Sequence, residues 1–233
     1  LVGILTNRDL RFENRLDLKV SQVMTKNNLI TAPEGTGLEK AQAILHEHRI
    51  EKLPVVNDQF ELKGLITIKD IQKKIKYPFA CKDTHGRLRV GAAVGVGADV
   101  EERLERLIKT GIDLIVVDTA HGHSDGVIER VRWVKRHYPQ VDVIGGNIAT
   151  GAAALALAEA GADGVKVGIG PGGGCTTRMT TSFGVPQLQA LVECRLAIGD
   201  SGVPLIADGG IKRHGALAEA LVCGGDTTML GSA

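Results

Sequence analysis

The chain has 233 residues, of which 43% are hydrophobic, 24% charged and 3% aromatic, and its formal net charge at pH 7 is +1. This composition is typical of a globular protein and argues against disorder, while the near-neutral balance gives no basic field for a nucleic-acid partner. No apolar stretch approaches the roughly 18 residues needed to cross a bilayer, so we expect no membrane partner and a cytoplasmic location.

A short internal repeat marks the first part of the chain. Residues 3–9 (Gly-Ile-Leu-Thr-Asn-Arg-Asp) reappear as residues 64–70 (Gly-Leu-Ile-Thr-Ile-Lys-Asp), and each copy predicts an apolar strand that ends in Thr, followed by an Asp that starts a helix. Between the copies, the spacing of apolar residues predicts a helix over 38–50, and a hairpin of two strands over 53–56 and 62–68. Only the second unit of this repeat is complete, so we expect the chain to begin inside the first.

From Arg89 onwards, predicted strands alternate with helices, which implies a parallel sheet. The strands are expected at 90–94, 114–117, 141–144, 164–167, 203–207 and 227–230. Polar residues or glycine loops follow nearly every strand, and this favours a (β/α)8 TIM barrel, which builds its site from many strand ends, over an open doubly wound sheet, which uses one crevice. Because such barrels typically need about 250 residues, we expect at least one barrel strand to be missing at each end of the chain.

The most informative segment is the glycine-rich loop 168–178, Gly-Ile-Gly-Pro-Gly-Gly-Gly-Cys-Thr-Thr-Arg. Its glycines permit positive φ angles that direct several backbone N–H groups at one anion. Cys175 lies at its edge as a candidate nucleophile, with a pKa that clustered backbone dipoles lower. The loop also satisfies the GxGxxG dinucleotide pattern, but Thr-Thr-Arg follows where a helix should begin, which weakens that interpretation. A purely structural glycine loop is the remaining alternative.

Two later segments are expected to converge on this loop. Asp208-Gly209-Gly210 and Gly231-Ser232 follow neighbouring strands, where barrels often bind phosphate. An Asp beside glycines accepts hydrogen bonds from ribose hydroxyls. Together with the cysteine loop, these segments predict a site for a nucleotide monophosphate.

Other cysteines and histidines carry weaker signals. The chain has no Cys-x-x-Cys pair and no zinc-ligand spacing, and Cys194 and Cys223 are expected on helices in the core. Asp118 ends a predicted strand and is placed to meet a second ligand. His121 and His123 follow it, and we expect them to cap the next helix rather than to bind metal or act as a base.

The segments VVDTAHGHS, GGNIAT, VKVGIGPGGGCTTR, GVPQ, ADGGIK and MLGS, in this order, resemble the inosine-5′-monophosphate (IMP) dehydrogenase and GMP reductase family. The helix–strand–strand–helix unit resembles a CBS domain. The resemblance implies three parts: the end of a first CBS domain at 1–19, a second CBS domain at 20–78, and part of the catalytic barrel at 79–233, with the CBS module inserted into the barrel.

The resemblance also implies an activity, namely NAD-dependent oxidation of IMP to xanthosine monophosphate (XMP) in guanine nucleotide biosynthesis. Cys175 matches the nucleophile that attacks the purine, Thr177 a threonine that assists it, and Asp208 a ribose ligand. Phosphate contacts are implied for Gly173, Gly210, Gly231 and Ser232. Positions on the NAD side are implied for Asp118, Asn147, Gly168 and Gly170. Carbonyl ligands of a potassium ion are implied for Gly170, Gly172 and Cys175. Adenine or guanine nucleotide contacts in the CBS module are implied for Thr67 and Asp70.

The chain departs from the family pattern at Gly173-Gly174, where Ser-Ile is usual, so a phosphate-binding hydroxyl is absent. The flap whose arginine activates the hydrolytic water is expected beyond Ala233. Two alternatives therefore stay open: a GMP reductase, which converts GMP to IMP with NADPH, and a catalytically weakened nucleotide-binding relative. The family also implies a homotetramer.

Overall fold

The computed structural model describes residues 1–15, 17–84 and 86–231 of the chain. The chain separates into two units, Leu1–Cys81 and Lys82–Ala233, and each unit has its own cluster of buried apolar residues. Within the described ranges, every helix is too short or too polar to cross a membrane.

The first unit is built on a three-stranded sheet with helices beside it. Its elements are α1 (Asn7–Leu10), α2 (Val20–Val23), β1 (Ala32–Pro33), α3 (Leu38–Glu47), β2 (Lys52–Val56), β3 (Leu62–Thr67) and α4 (Ile68–Lys76). β2 and β3 form an antiparallel hairpin, and β1 pairs with β2 in parallel. Leu45 of α3 and Ile71 of α4 pack with Leu53 of the hairpin in the core. The predicted order of helix, strand, strand and helix is therefore confirmed.

The two copies of the short repeat both begin a helix in the same way, but only the second copy also contains a strand. The strand predicted at residues 3–6 is wrong, because Ile4 makes only an isolated bridge to Thr25, and a strand needs a continuous ladder. The helix start is the same in both copies. The Thr6 hydroxyl donates to the Asp9 carboxylate at 2.7 Å, and in the second copy the Thr67 hydroxyl donates to Asp70 at the same distance, so each Asp caps its helix.

The second unit alternates strands and helices as predicted. Its elements are β4 (Gly91–Val94), α5 (Val100–Lys109), β5 (Leu114–Asp118), α6 (Asp125–His137), β6 (Asp142–Ile148), α7 (Gly151–Glu159), β7 (Gly164–Val167), α8 (Thr177–Thr181), α9 (Gln187–Ile198), β8 (Leu205–Asp208), α10 (His214–Val222) and β9 (Thr227–Met229). The strands lie in chain order, and every neighbouring pair is parallel. A doubly wound sheet reverses its strand order at a switch point. The described strands show no reversal, so they form a parallel half-barrel.

Apolar helix faces cover this sheet. On α6, Val127, Val131 and Val134 recur at helical spacing and are fully buried. Cys194 is buried in α9, as predicted. Cys223 instead follows the last residue of α10 and is only half-buried, so its predicted place in the helical core is wrong.

Three helix-to-strand connections share the tripeptide Gly-x-Asp, at residues 111–113, 161–163 and 224–226, and are called here the Gly-x-Asp joints. The glycines have φ angles of 82°, 92° and 109°, which end the preceding helices in the left-handed region. Each Asp carboxylate then accepts a hydrogen bond from a backbone N–H at the start of the neighbouring strand, which is the strand that precedes the joint in the chain. The donors are Val90 to Asp113 at 2.7 Å, Val143 to Asp163 at 2.8 Å and Leu205 to Asp226 at 2.7 Å.

The Gly-x-Asp joints fix strand register. Each Asp also donates its own N–H to the carbonyl of the residue whose N–H it accepts, at 2.8–3.1 Å, so a slip of one residue would break both bonds at once. A cation lies beside each carboxylate; at the central joint Lys135 Nζ is 2.8 Å from Asp163 Oδ2. The joints lie at the amino ends of the strands.

Candidate active site

The carboxyl ends of four neighbouring strands bring together Asp118, Asn147, Lys166 and Asp208. Lys166 is only 5% exposed and is the one charged or polar residue that is buried among those described. Its Nζ donates to Asp208 Oδ2 at 2.7 Å and to Asn147 Oδ1, and lies 3.4 Å from Asp118 Oδ2. A buried ammonium requires such acceptors, and these four residues are called the Lys166 cluster below.

Two glycines make room for the Lys166 cluster. A Cβ on Gly146 would lie 2.8 Å from the Lys166 Cβ, on the neighbouring strand, so only glycine leaves space for the lysine stem. A Cβ on Gly122 would lie 2.8 Å from the Asn147 carbonyl oxygen, to which Gly122 donates its N–H at 2.7 Å. The GGNIAT and AHGHS segments therefore meet around Asn147.

The glycine loop packs against the turn that follows β8. A Cβ on Gly168 would lie 2.0 Å from the Asp208 carbonyl oxygen, and one on Gly209 would lie 3.0 Å from Gly172 N. The Gln187 amide of α9 closes the arrangement by donating to the Val167 carbonyl at 2.8 Å. The structure thus brings together the loop and the Asp208-Gly209-Gly210 turn.

Cys175 is partly exposed on this loop, with Sγ 3.4 Å from Thr177 Oγ1. Hydrogen bonds from the Thr177 hydroxyl and backbone N–H stabilise the thiolate and lower the pKa of Cys175. Cys194 is the opposite case, because burial raises its pKa to about 12. Cys175 is therefore an accessible, acidified thiol, whereas Cys194 is an inert one.

A short helix follows the cysteine, contrary to the expectation that none begins there. α8 starts at Thr177 and ends after five residues at Ser182, whose φ is 60°. Tertiary packing explains it: a Cβ on Gly170 or on Gly184 would lie 2.6 Å from the Arg178 side chain. The Arg178 stem therefore fills the space between the start of the loop and the segment after α8.

The loop offers donors on the side where a phosphate site was predicted. Gly173 and Gly174 donate their N–H groups to no other described residue. Lys212 Nζ lies 3.8 Å from the point where a Cβ on Gly173 would stand, and Lys212 has no ion pair within the described ranges. Gly231 is exposed at the end of the last range, and Ser232 lies outside the described residues.

His121 and His123 do not cap the helix that follows them, contrary to the prediction. Ser124, and not a histidine, occupies the N-cap position of α6, and both His121 and His123 are exposed. Among the described residues, no group of three or more His, Cys, Asp or Glu side chains could hold a metal ion. The carbonyl oxygens of Gly170 and Cys175 accept no hydrogen bond there, whereas that of Gly172 accepts one from Cys175 N at 3.1 Å.

In the first unit, Thr67 and Asp70 form the helix cap of α4, and Thr67 N–H also donates to Asp70 Oδ2, at 2.8 Å. A groove of about 740 Å³ lies in the same unit, between α3 and α4, and its walls include Leu45, Ile68 and Ile71. Neither Thr67 nor Asp70 lines it, so the structure does not bring the two features together.

Sequence reasoning missed Lys166. The residue stands between two valines in a strand that is buried along its whole length. Such a strand, in the middle of a parallel sheet, has no solvent-facing side. A lysine there needs buried acceptors, and this was the signal that could have identified it.

The amino-acid sequence matches a known protein family. The model of the family described as "IMP dehydrogenase / GMP reductase domain" matches residues 20–233. Proteins named inosine-5′-monophosphate dehydrogenase from Halalkalibacterium halodurans and Bacillus subtilis are each 55% identical over 232 residues, covering 100% of this chain and 48% of the relative. The chain thus spans about half the length of the curated relatives it matches.

Solved structures agree with this match. A GMP reductase variant from Trypanosoma brucei superposes with a TM-score of 0.74 at 41% identity, covering 100% of this chain and 53% of that one. The same protein in complex with guanosine 5′-monophosphate gives a TM-score of 0.78 at 40% identity, covering 99% and 48%. With the family match over most of the chain, these likenesses lead to one conclusion: the chain belongs to the IMP dehydrogenase / GMP reductase family.

Proposed function

We propose that the protein oxidises IMP to XMP with NAD, in guanine nucleotide biosynthesis, through a covalent intermediate on Cys175. The observation that carries this proposal is the accessible thiol of Cys175, acidified by Thr177 and held on a loop that packs against the Asp208 turn. A thiolate is the nucleophilic form of cysteine, and a lowered pKa increases its population near neutral pH.

In the proposed reaction, the Cys175 thiolate adds to C2 of the purine and a hydride leaves from the same carbon. NAD, when bound, accepts that hydride. Water then attacks C2 of the adduct and expels the thiolate, giving XMP and one proton. Thr177 supports both the first and the last step of the reaction, because its hydrogen bonds stabilise the Cys175 thiolate as nucleophile and as leaving group.

The nucleotide is proposed to bind across the two packed segments. Asp208 Oδ1, which accepts no hydrogen bond within the described ranges, is available to a ribose hydroxyl. The N–H groups of the glycine loop and the Lys212 ammonium surround the proposed phosphate position. The proposed phosphate contacts are Gly173, Gly210, Lys212, Gly231 and Ser232.

NAD and potassium remain parts of this proposal. The Asp118 carboxylate is 41% exposed at the end of β5, so it fits a ligand with hydroxyl groups; Asn147, Gly168 and Gly170 are the other proposed residues on that side. For potassium, the free carbonyls of Gly170 and Cys175 are the hard oxygen donors that such an ion needs, and the Gly172 carbonyl keeps one lone pair beside its hydrogen bond.

The larger organisation is also a proposal. We assign residues 1–19 to the end of a first CBS domain, 20–78 to a second one inserted into the barrel, and 79–233 to part of a (β/α)8 barrel. Thr67 and Asp70 would meet an adenine or guanine nucleotide, and the barrels would form a homotetramer in the cytoplasm.

The test uses the full-length protein with IMP and NAD. We expect the nicotinamide absorbance of NADH to grow, and mass spectrometry to find a purine nucleotide adduct on Cys175. Cys175→Ala must abolish both signals, whereas Cys223→Ala, which alters another partly buried thiol, must leave them. Binding of IMP without adduct or turnover would refute the proposal in favour of a nucleotide-binding relative.

GMP reductase is the second candidate, because the solved structures named above are GMP reductases at 40–41% identity. That enzyme would consume NADPH with GMP and release ammonia. Incubating the same preparation with GMP and NADPH separates the two activities, since a dehydrogenase leaves the NADPH absorbance unchanged.

A further inference from the structure

We propose that Lys166 is a positioning residue that sets recognition of the ribose hydroxyls, by presenting Asp208 with one oxygen left for the ligand. This inference rests on the proposed function, since it concerns how the nucleotide site selects its sugar. The hydrogen bonds within the Lys166 cluster support it.

The Asn147 amide uses both of its donor hydrogens inside the protein. Its Nδ2 donates to the Gly168 carbonyl at 2.7 Å and to Asp208 Oδ2 at 2.8 Å, and its Oδ1 accepts from Lys166. A side-chain amide has two donor hydrogens, so Asn147 has none left for a ligand. Asn147 therefore orients its neighbours, and to a ligand such as NAD it can offer only the second lone pair of Oδ1.

Asp208 is held through one oxygen only. Oδ2 accepts from Lys166 at 2.7 Å and from Asn147 at 2.8 Å, whereas Oδ1 accepts from no described residue. The carboxylate cannot rotate without losing two hydrogen bonds, one of them to a buried cation. Its free oxygen is thus fixed in direction before a ligand arrives, and such preorganisation lowers the entropic cost of binding.

Lys166 is itself held on three sides. Its ammonium donates to Asp208 and Asn147, and the Asp118 carboxylate lies 3.4 Å away as an ion-pair partner. Because the side chain is only 6% exposed, water does not compete for these hydrogens. The lysine is therefore a rigid support for Asp208 rather than a mobile surface charge.

The test compares IMP with its 2′,3′-dideoxy analogue, by calorimetry on the full-length protein without NAD. Wild type should prefer IMP, because only IMP offers the hydroxyls that Asp208 recognises. Lys166→Met should lose most of this preference, by roughly tenfold, as expected for a charge-assisted hydrogen bond. Lys166→Arg, which keeps the charge and donors, should keep part of it.

Lys135→Met is the matched control, because Lys135 also donates to an aspartate at 2.8 Å but at the amino end of the strands. It should lower stability and keep the full preference. Equal losses of affinity for IMP and the dideoxy analogue in Lys166→Met would mean a merely structural role and would overturn the inference.

If Lys166→Met does not fold, the variant Asn147→Ser provides a second test of how Asp208 is positioned. This change removes the second donor to Asp208 Oδ2 and leaves the lysine in place, so a smaller loss of preference supports the inference and an intact preference overturns it. Failure of wild type to bind IMP would instead refute the proposed function, which keeps the two failures distinct.

Discussion

The substitution Gly168→Ala, which adds one methyl group, is expected to destabilise the second unit strongly. Gly168 has a φ of 152°, and a Cβ there would lie 2.0 Å from the Asp208 carbonyl oxygen and 3.0 Å from its carbonyl carbon. Both are backbone atoms, so no side-chain rotation relieves the contact. The chain must move at the point where β7 and β8 leave the sheet.

The magnitude follows from two costs. Placing a non-glycine residue at an unfavourable positive φ costs about 1–2 kcal/mol, and forcing extra volume into a packed region costs about 1–3 kcal/mol. We therefore expect Gly168→Ala to lower the free energy of unfolding by about 2–5 kcal/mol. Affinity for IMP should fall as well, because the displaced backbone carries Asp208.

Urea denaturation measures the first effect and calorimetry with IMP the second. Gly172→Ala is the control within the same loop, since a Cβ there meets nothing within 4 Å and its φ is not in the positive range. Its change in stability should stay within about 0.5 kcal/mol. If the two variants behave alike, the close packing of the glycine loop against the Asp208 turn is wrong.

Three further changes test other parts of the molecule. Thr177→Val removes a hydroxyl that stabilises the Cys175 thiolate, so the pKa of Cys175 rises and the iodoacetamide rate profile shifts to higher pH; an unshifted profile would contradict the assigned cause. Lys212→Met should weaken IMP binding by about three- to tenfold and leave inosine, which lacks the phosphate, unaffected in calorimetry; equal losses would refute the phosphate contact. Asp163→Ala deprives the Val143 N–H of its acceptor and should cost about 1–3 kcal/mol in urea denaturation, with IMP affinity unchanged; a parallel loss of affinity would show that the joint and the site are not independent.

The second unit followed from the sequence because its signals are local and repeated. Apolar runs of strand length alternate with helical spacing, and the strand predicted over 164–167 has the bounds that the structure gives to β7. The glycine loop was recognisable because its composition is unlike that of a helix or strand. Its contact with the Asp208 turn depended on the expected fold, since the two segments are far apart in the chain.

The features that the sequence did not predict correctly depend on long-range contacts and not on local signals. The strand at residues 3–6 has suitable composition, but a strand exists only with a partner, and Ile4 pairs at one position. α8 is a poor helix by sequence and forms around the Arg178 stem. The partners of Lys166 come from three other strands, so no local pattern contains them. In each case a long-range contact decided the outcome.

Because of the Gly-x-Asp joints, the amino ends of the strands fix the register of the sheet, while the carboxyl ends carry the candidate site. The register of three strand pairs is fixed by aspartates at the amino ends, at the opposite end of the strands from Asp208. Changes at open positions of the opposite rim therefore leave these register-setting hydrogen bonds intact. The two ends of this sheet can therefore be altered separately: an engineer seeking a new specificity can vary open positions of the rim, such as Gly174, and keep Gly168 and the three aspartates.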